Sequence, residues 1–362
     1  MLLGWGPKIS KQGDEGQQVI KLGILGANDP RMLAAVEWLL RHPRVQIAAV
    51  AGTNCAGNMM DDRFPRLVNR LKMPFLEIGA SQLSSMCDVV LSFLPHGESL
   101  RAGIEIVNAG CRFVDLSPDY RFSNAAVYER WYGEKHIDPT RLGRVPYGIY
   151  ELFHASFHDA RIIACPGAFS APTVLCLMPL IKEHLIKADD VVVDIKAGVR
   201  SLDEKPHPSI LYYDRHENVE PFGVGSHRQL AEICDVLSNA TNESLGISFT
   251  PHLVPMERGM FSTIYVNPSV SVSANQIREC LLSYYQHSTF VRIVSHLPTT
   301  QCVLRTNYID ISVRENGPKI TILAATDSLI RGGIGTAVQA INGMFGLDAN
   351  SGLNHVSDLS KG

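Results

Sequence analysis

Val19-Ile20-Lys21-Leu22-Gly23-Ile24-Leu25-Gly26-Ala27 is a short apolar run ending in glycine, and its reading decides the fold. It has the length and composition of a buried strand. Met32-Leu33-Ala34-Ala35-Val36-Glu37-Trp38-Leu39-Leu40-Arg41 follows with helical spacing and stops before Pro43. Val45 to Ala51 reads as a second strand. Asp88 to Leu94 and Arg112 to Leu116 are further strands, with Arg101 to Ala109 a helix between them. Strands alternating with helices at this spacing predict parallel βαβ units with right-handed crossovers. The expectation is an α/β chain whose first domain, residues 20–165 with the tail 325–362, is a Rossmann-like doubly wound parallel sheet.

The pattern changes after Pro166. A helix over Thr173 to Leu185 precedes longer runs at Val191–Val199, Gly246–Pro251, Met260–Pro268 and Tyr308–Val313. With no helix between every pair, they predict an α+β domain with a mixed sheet over 166–324. Leu329 to Met344 reads as one helix whose glycines allow close packing. Residues 1–19 are polar and glycine-rich and predict a flexible lead-in without the apolar core of a signal peptide.

The chain has 362 residues, 33 Lys and Arg against 36 Asp and Glu, and a net charge near −3. No block of like charge is present, so an electrostatic case for nucleic acid or an anionic membrane has no footing. The longest apolar stretch, Thr173 to Ile181, is interrupted by Pro179 and falls well short of the roughly 20 residues of a bilayer span. Eight cysteines are scattered without a CxxC pair, which predicts core residues in a reducing compartment, the cytoplasm, and no metal site.

A dinucleotide fold binds pyrophosphate at its first strand-to-helix turn, where glycines permit close approach and a helix N-terminus faces the charge. The turn here keeps Gly23 and Gly26, but the next positions at that spacing are Asp29 and Met32. An acid at the helix start repels a pyrophosphate, a methionine blocks close approach, and Arg31 offsets only part of this. The second strand ends Ala51-Gly52-Thr53-Asn54, with neither an acid for a ribose diol nor an arginine for a 2′-phosphate.

Leu94-Pro95-His96-Gly97, Asp115-Leu116-Ser117-Pro118-Asp119-Tyr120-Arg121-Phe122, Tyr147-Gly148-Ile149-Tyr150-Glu151 and Ala164-Cys165-Pro166-Gly167 occur in order along the chain. Gly225-Ser226-His227-Arg228-Gln229-Leu230-Ala231-Glu232, Thr250-Pro251-His252-Leu253-Val254-Pro255 and Gly335-Thr336-Ala337-Val338-Gln339-Ala340 follow. Together, from about residue 20 to 353, they resemble the N-acetyl-γ-glutamyl-phosphate reductase family, within the aspartate-semialdehyde dehydrogenase superfamily.

That resemblance implies a cysteine thiolate that attacks an acyl phosphate to give a thioester, NADPH that delivers hydride, and a histidine acting as acid and base. It also implies a homo-oligomer, dimer or tetramer. The chain departs from the pattern where the family reads Asn-Pro-Gly-Cys, for here Cys165-Pro166-Gly167-Ala168 puts alanine at the nucleophile position. Cys165 and Ser170 are the neighbouring alternatives. A second glycine loop, Ala197-Gly198-Val199-Arg200-Ser201-Leu202-Asp203, keeps only Gly198 and Val199 of the family's pattern. Losses at three separate places point to natural divergence rather than to one changed residue.

The substrate side is better kept. His227 and Glu232 are the catalytic candidates, His227 as a general base with Glu232 to orient it, and Gln229 replaces the family's second histidine. Arg228, Arg121, Arg258 and Asn218 are the substrate-binding candidates, since an arginine fork suits a carboxylate or phosphate. Gly23, Gly26, His96 and Gly97 are what remains for a cofactor; NADP is implied by the family alone. Three functions are consistent with this: a working NADPH-dependent reductase of arginine biosynthesis; a diverged homologue that keeps the pocket for a small glutamate-type acyl phosphate or semialdehyde and performs cyclisation, transfer or elimination; and a non-catalytic partner of a homologue or of an amino-acid kinase.

Overall fold

Leu22 and Ile24 are wholly buried, and the strand they define, β1 (Ile20–Leu25), lies inside a parallel sheet, which is why the run is apolar on both faces. The computed structural model describes residues 19–199 and 217–354. The expected lead-in, Val19 apart, and residues 200–203 of the second glycine loop lie outside the described residues. The first sheet adds β2 (Val45–Ala51), β3 (Val89–Ser92), β4 (Arg112–Asp115) and β5 (Ile162–Ala164), in the order β2-β1-β3-β4-β5. All its pairings are parallel. Strand order reverses between β1 and β3, so the turns at Gly26 and at Leu94–Gly97 share the carboxyl edge where such sheets form their crevice.

The second sheet has seven strands: β6 (Ile186–Ala197), β7 (Glu220–Pro221), β8 (Ile247–Leu253), β9 (Gly259–Pro268), β10 (Val291–Ile293), β11 (Ile309–Asn316) and β12 (Lys319–Asp327). Their order is β10-β11-β12-β9-β6-β8-β7, with parallel pairs at β10–β11 and β6–β8 and antiparallel pairs elsewhere. The sheet is therefore mixed, as expected. In β6, Val191, Val193, Ile195 and Ala197 are buried and alternate with half-buried Val192, Asp194 and Lys196.

The helices are α1 (Met32–Leu39), α2 (Met60–Arg63), α3 (Ala80–Ser84), α4 (Glu98–Asn108), α5 (Ala125–Tyr132), α6 (Tyr150–Phe153), α7 (Ser170–Lys182), α8 (Arg228–Thr241), α9 (Ala274–Tyr284) and α10 (Gly335–Met344). One core joins α7, α8 and α9 to the buried face of the mixed sheet. The tail returns to the first sheet, with Ile334, Ala337, Val338 and Ile341 in the same core as Leu22, Ile24 and Val89. The single helix expected over 329–344 is two pieces. Ile330–Ile334 winds as a π turn before α10. Asp327 anchors that turn by accepting from Leu329 N and Ile330 N, each at 3.0 Å. Arg331 within it is wholly buried and pairs with Glu151 at 2.8 Å and with Gln339 Oε1 at 3.0 Å. Burial pushes the Glu151 carboxyl up, but the Arg331 guanidinium outweighs this and holds it below the usual range.

Every residue of α7 from Ser170 to Ile181 is buried, so its backbone needs internal partners. Pro179 has no N–H, which deprives the Leu175 carbonyl of its helical donor. The Tyr285 hydroxyl donates to Leu175 O at 2.6 Å from the end of α9 and supplies that bond. Removing the hydroxyl leaves a buried acceptor unsatisfied. Tyr285→Phe is expected to lose about 1–3 kcal/mol of stability in urea unfolding, whereas Tyr284→Phe next to it should lose less than about 0.5 kcal/mol.

Candidate active site

The segment from Cys165 to Ala168 leaves β5 and enters α7 through Pro166 and Gly167. Only glycine fits at 167, since a Cβ there would lie 2.3 Å from the Gln229 amide. Ala168 sits at the start of α7, and a Cβ on Gly332 of the π turn would lie 2.8 Å from its methyl. The two polypeptide halves therefore touch at Ala168, beside a cavity of about 30 Å³ lined in part by Arg31, Leu116, Arg121, Gly167 and Gly333. That is room for about one or two waters.

Glu232 of α8 is the hub of the arrangement and has no solvent exposure. Its Oε1 accepts from Gly167 N at 2.8 Å and from the Tyr147 hydroxyl at 2.5 Å. Its Oε2 accepts from Arg121 Nη1 at 3.0 Å, and Arg121 Nη2 also donates to Leu116 O at 2.7 Å. The expected pairing of Glu232 with His227 is replaced by this set of donors. Burial pushes the Tyr147 hydroxyl well above its ordinary value, with the Glu232 charge adding to the effect.

His227 is the N-cap of α8, where its Nδ1 accepts from Gln229 N at 3.3 Å. With Nδ1 as acceptor, the neutral ring carries its proton on Nε2. The ring packs among Phe169, Phe222 and Phe249, with centroids 5.0–5.5 Å away. His227 thus caps α8 from within an aromatic box. Gln229 is the residue that faces the start of α7. Its Oε1 accepts from Phe169 N at 2.9 Å, Ser170 N at 3.2 Å and Ser170 Oγ at 3.3 Å.

The other sequence candidates are dispersed. Arg121 lines the cavity; Arg258 does not, being paired with buried Asp327 at 2.8 Å. Arg228 is exposed, with its guanidinium 4.9 Å over the Tyr132 ring. His96 meets the same ring edge-on at 5.2 Å. Asn218 is exposed, before β7. Gly97 is left-handed (φ 74°), and its N–H donates to both oxygens of buried Asp119 at 3.0 Å. Gly23 is bare because a Cβ would meet Cys87 Sγ at 2.7 Å, so its requirement is packing. Gly26 turns at φ 97°, and a Cβ there would lie 2.9 Å from the Phe93 carbonyl carbon. Met32 is wholly buried in the core, so it does not obstruct the turn as its sequence position suggested. Sequence reasoning missed Tyr147 and the capping role of Gln229; the only signal was their place inside quoted motifs.

Two family models match the chain: the semialdehyde dehydrogenase NAD binding domain over residues 21–160 and the semialdehyde dehydrogenase dimerisation domain over residues 169–328. Proteins named N-acetyl-gamma-glutamyl-phosphate reductase are similar along almost the whole chain. The one from Rhodopirellula baltica is 35% identical over 339 residues, covering 92% of this chain and 98% of the relative. The one from Halothermothrix orenii is 32% identical over 343 residues, covering 93% and 99%. The chain belongs to the N-acetyl-gamma-glutamyl-phosphate reductase family. Among solved structures, aspartate semialdehyde dehydrogenase II of Vibrio cholerae, complexed with ASA, matches at a TM-score of 0.67 and 15% identity over 91% of this chain and 98% of that one. Aspartate semialdehyde dehydrogenase of Candida albicans, with NADP, matches at 0.67 and 17% over 91% and 99%. At that identity the likeness is one of fold. The match to a dimerisation domain supports assembly of copies, and among the described residues no helix is long and apolar enough to cross a membrane.

Behind the reductase-family cleft, Asp115 ends β4 wholly buried. It accepts from Ser99 Oγ at 2.7 Å and from Ser117 N and Oγ at 2.8 Å. Burial and then the nearby Asp119 charge push its carboxyl up from 3.8 to about 7, against those hydrogen bonds. Between these values the unfolded chain has lost a proton that the folded chain keeps. The group's contribution to stability is therefore full at low pH and is lost as pH rises through about 7. Asp115→Asn removes this dependence, so the stability of the native protein relative to that variant should fall between about pH 4 and 7.5, read as urea midpoints.

Proposed function

We propose that this family member keeps a cleft for a small glutamate-type acyl phosphate or semialdehyde and does not carry out the cysteine-thioester, NADPH-dependent reduction. The observation that carries this is the nucleophile inventory at the start of α7. Ala168 occupies the position where the resemblance expects the thiol, and a methyl group cannot form an acyl bond. Cys165 is wholly buried, and burial pushes its thiol up to about 12, so no useful thiolate fraction exists near neutral pH. Ser170 is also wholly buried, with its hydroxyl against Gln229, which replaces the family's second histidine. Neither a nucleophile nor its base stands at the helix start.

What is retained is a cationic wall. Arg121 reaches the cavity from the segment after β4, held by Glu232 and the Leu116 carbonyl, and is the guanidinium placed to face an acyl phosphate or carboxylate there. Copies of the chain are expected to assemble through the domain that carries the mixed sheet. The same missing nucleophile favours a second reading, in which the fold serves as a non-catalytic partner of an active homologue.

Incubating the full chain with N-acetylglutamyl phosphate and NADPH is expected to give neither NADPH oxidation nor an acyl adduct by intact mass. Phosphate release above the spontaneous rate without NADPH marks the non-redox enzyme; its absence marks the partner. Semialdehyde formation, or an adduct on any residue, sinks the proposal. Ala168→Cys alone should not restore reduction, because Gln229 still holds the N–H groups at the start of α7.

A further inference from the structure

The turn between β1 and α1 spends its hydrogen-bond donors on itself. A dinucleotide fold holds pyrophosphate by leaving backbone N–H groups and the positive end of the next helix open to it. Here Gly26 N and Ala27 N both donate to Ala51 O, at 3.0 and 3.1 Å. Asp29 N donates to Gly26 O and Met32 N to Asp29 O, each at 3.1 Å. Arg31 N donates to the Asp29 carboxylate at 2.7 Å. Pro30 has no N–H to give. Of the seven positions from Gly26 to Met32, five are thus engaged within the strand ends and the turn, and a sixth has no donor.

Charge follows the same pattern. Asp29 also accepts from Arg31 Nε at 3.0 Å and from Nη2 at 2.9 Å, a bidentate clasp of the turn's own cation. Its side chain is largely covered, at 17% exposure. Arg31 is the N-cap of α1, so the carboxylate bonded to its N–H lies just ahead of the first turn, where its negative charge complements the helix dipole as a bound phosphate does elsewhere. The residues present therefore do not fit a dinucleotide pyrophosphate at this turn.

We propose that Asp29 is an internal ligand of the turn: its carboxylate occupies the pyrophosphate seat and, with Arg31 and Pro30, closes this Rossmann-like domain to nicotinamide dinucleotides. This deepens the reading above that reduction has been abandoned, and rests on the same divergence. It is nevertheless separable. Nicotinamide binding without a thiol still yields no acyl adduct, and an adduct without nicotinamide binding sinks only the earlier reading.

The test is calorimetric titration of the full chain with NADPH, NADH and inorganic pyrophosphate, with nicotinamide fluorescence in parallel. The native protein is expected to show no saturation up to about 1 mM. Saturable NADPH binding that pyrophosphate competes away overturns the proposal. Asp29→Gly removes the carboxylate from Arg31 and from its N–H, and should bind pyrophosphate about tenfold more tightly than the native chain. Equal affinity in the two proteins overturns the proposal as well, since Asp29 then fills no seat. Should a thermal melt show that the glycine variant does not fold, Asp29→Asn takes its place. It keeps an acceptor for Arg31 N but no charge, and a gain of about threefold is expected, with no gain counting against the assignment.

Discussion

A carboxylate sealed from water has to find its hydrogen-bond donors inside the protein, and Glu232 finds them on three separate stretches of chain. Gly167 N comes from the turn into α7, the Tyr147 hydroxyl from the segment before β5, and the Arg121 guanidinium from the segment after β4. Because all of them converge on one side chain of α8, the turn at 165–168 can take only one position. That position sets Ala168 against Gly332 and leaves the small cavity between the sheets. Truncating one partner of such a buried pair leaves an uncompensated charge, so the arrangement is held as a unit.

Acidic side chains close backbone ends elsewhere in the structure. Asp29 accepts from Arg31 N at the start of α1, Asp119 from Gly97 N and Leu100 N at the start of α4, and Asp327 from Leu329 N and Ile330 N at the π turn. At α7 the same role falls to a neutral group, the Gln229 carbonyl. Helix N-termini carry partial positive charge and unsatisfied donors, and internal oxygens answer both. The consequence is that these backbone ends meet their oxygens within the protein, while Arg31 and Arg121 line the cavity.

Much of the fold was legible in the sequence. The strands at 20–25, 45–51, 89–92 and 112–115 stand out because parallel strands covered on both faces must be almost continuously apolar. The mixed sheet was legible in part: the runs that became β6, β8, β9 and β11 were visible, while β12 and helices α8 and α9 carry weaker signals. The break at Ile330–Ile334 was not visible, because a glycine-rich apolar run suits an α-helix and a π turn equally well. Among the site residues, Arg121 and Glu232 were named from their motifs, but their pairing spans 111 positions and has no local signature.

Residue identity alone fixed what three positions cannot supply. An alanine at 168, an acid at 29 and a proline at 30 cannot become a thiol, a bare backbone or an N–H donor in any fold. What each remaining group does was decided only by tertiary contacts. Folding turned His227 into a helix cap boxed by aromatic rings, tied Arg258 to Asp327, buried Met32 in the core and brought Gln229 to the mouth of α7. The reason is that a polar side chain's role is set by which donors and acceptors surround it once water is excluded, and those come from distant parts of the chain.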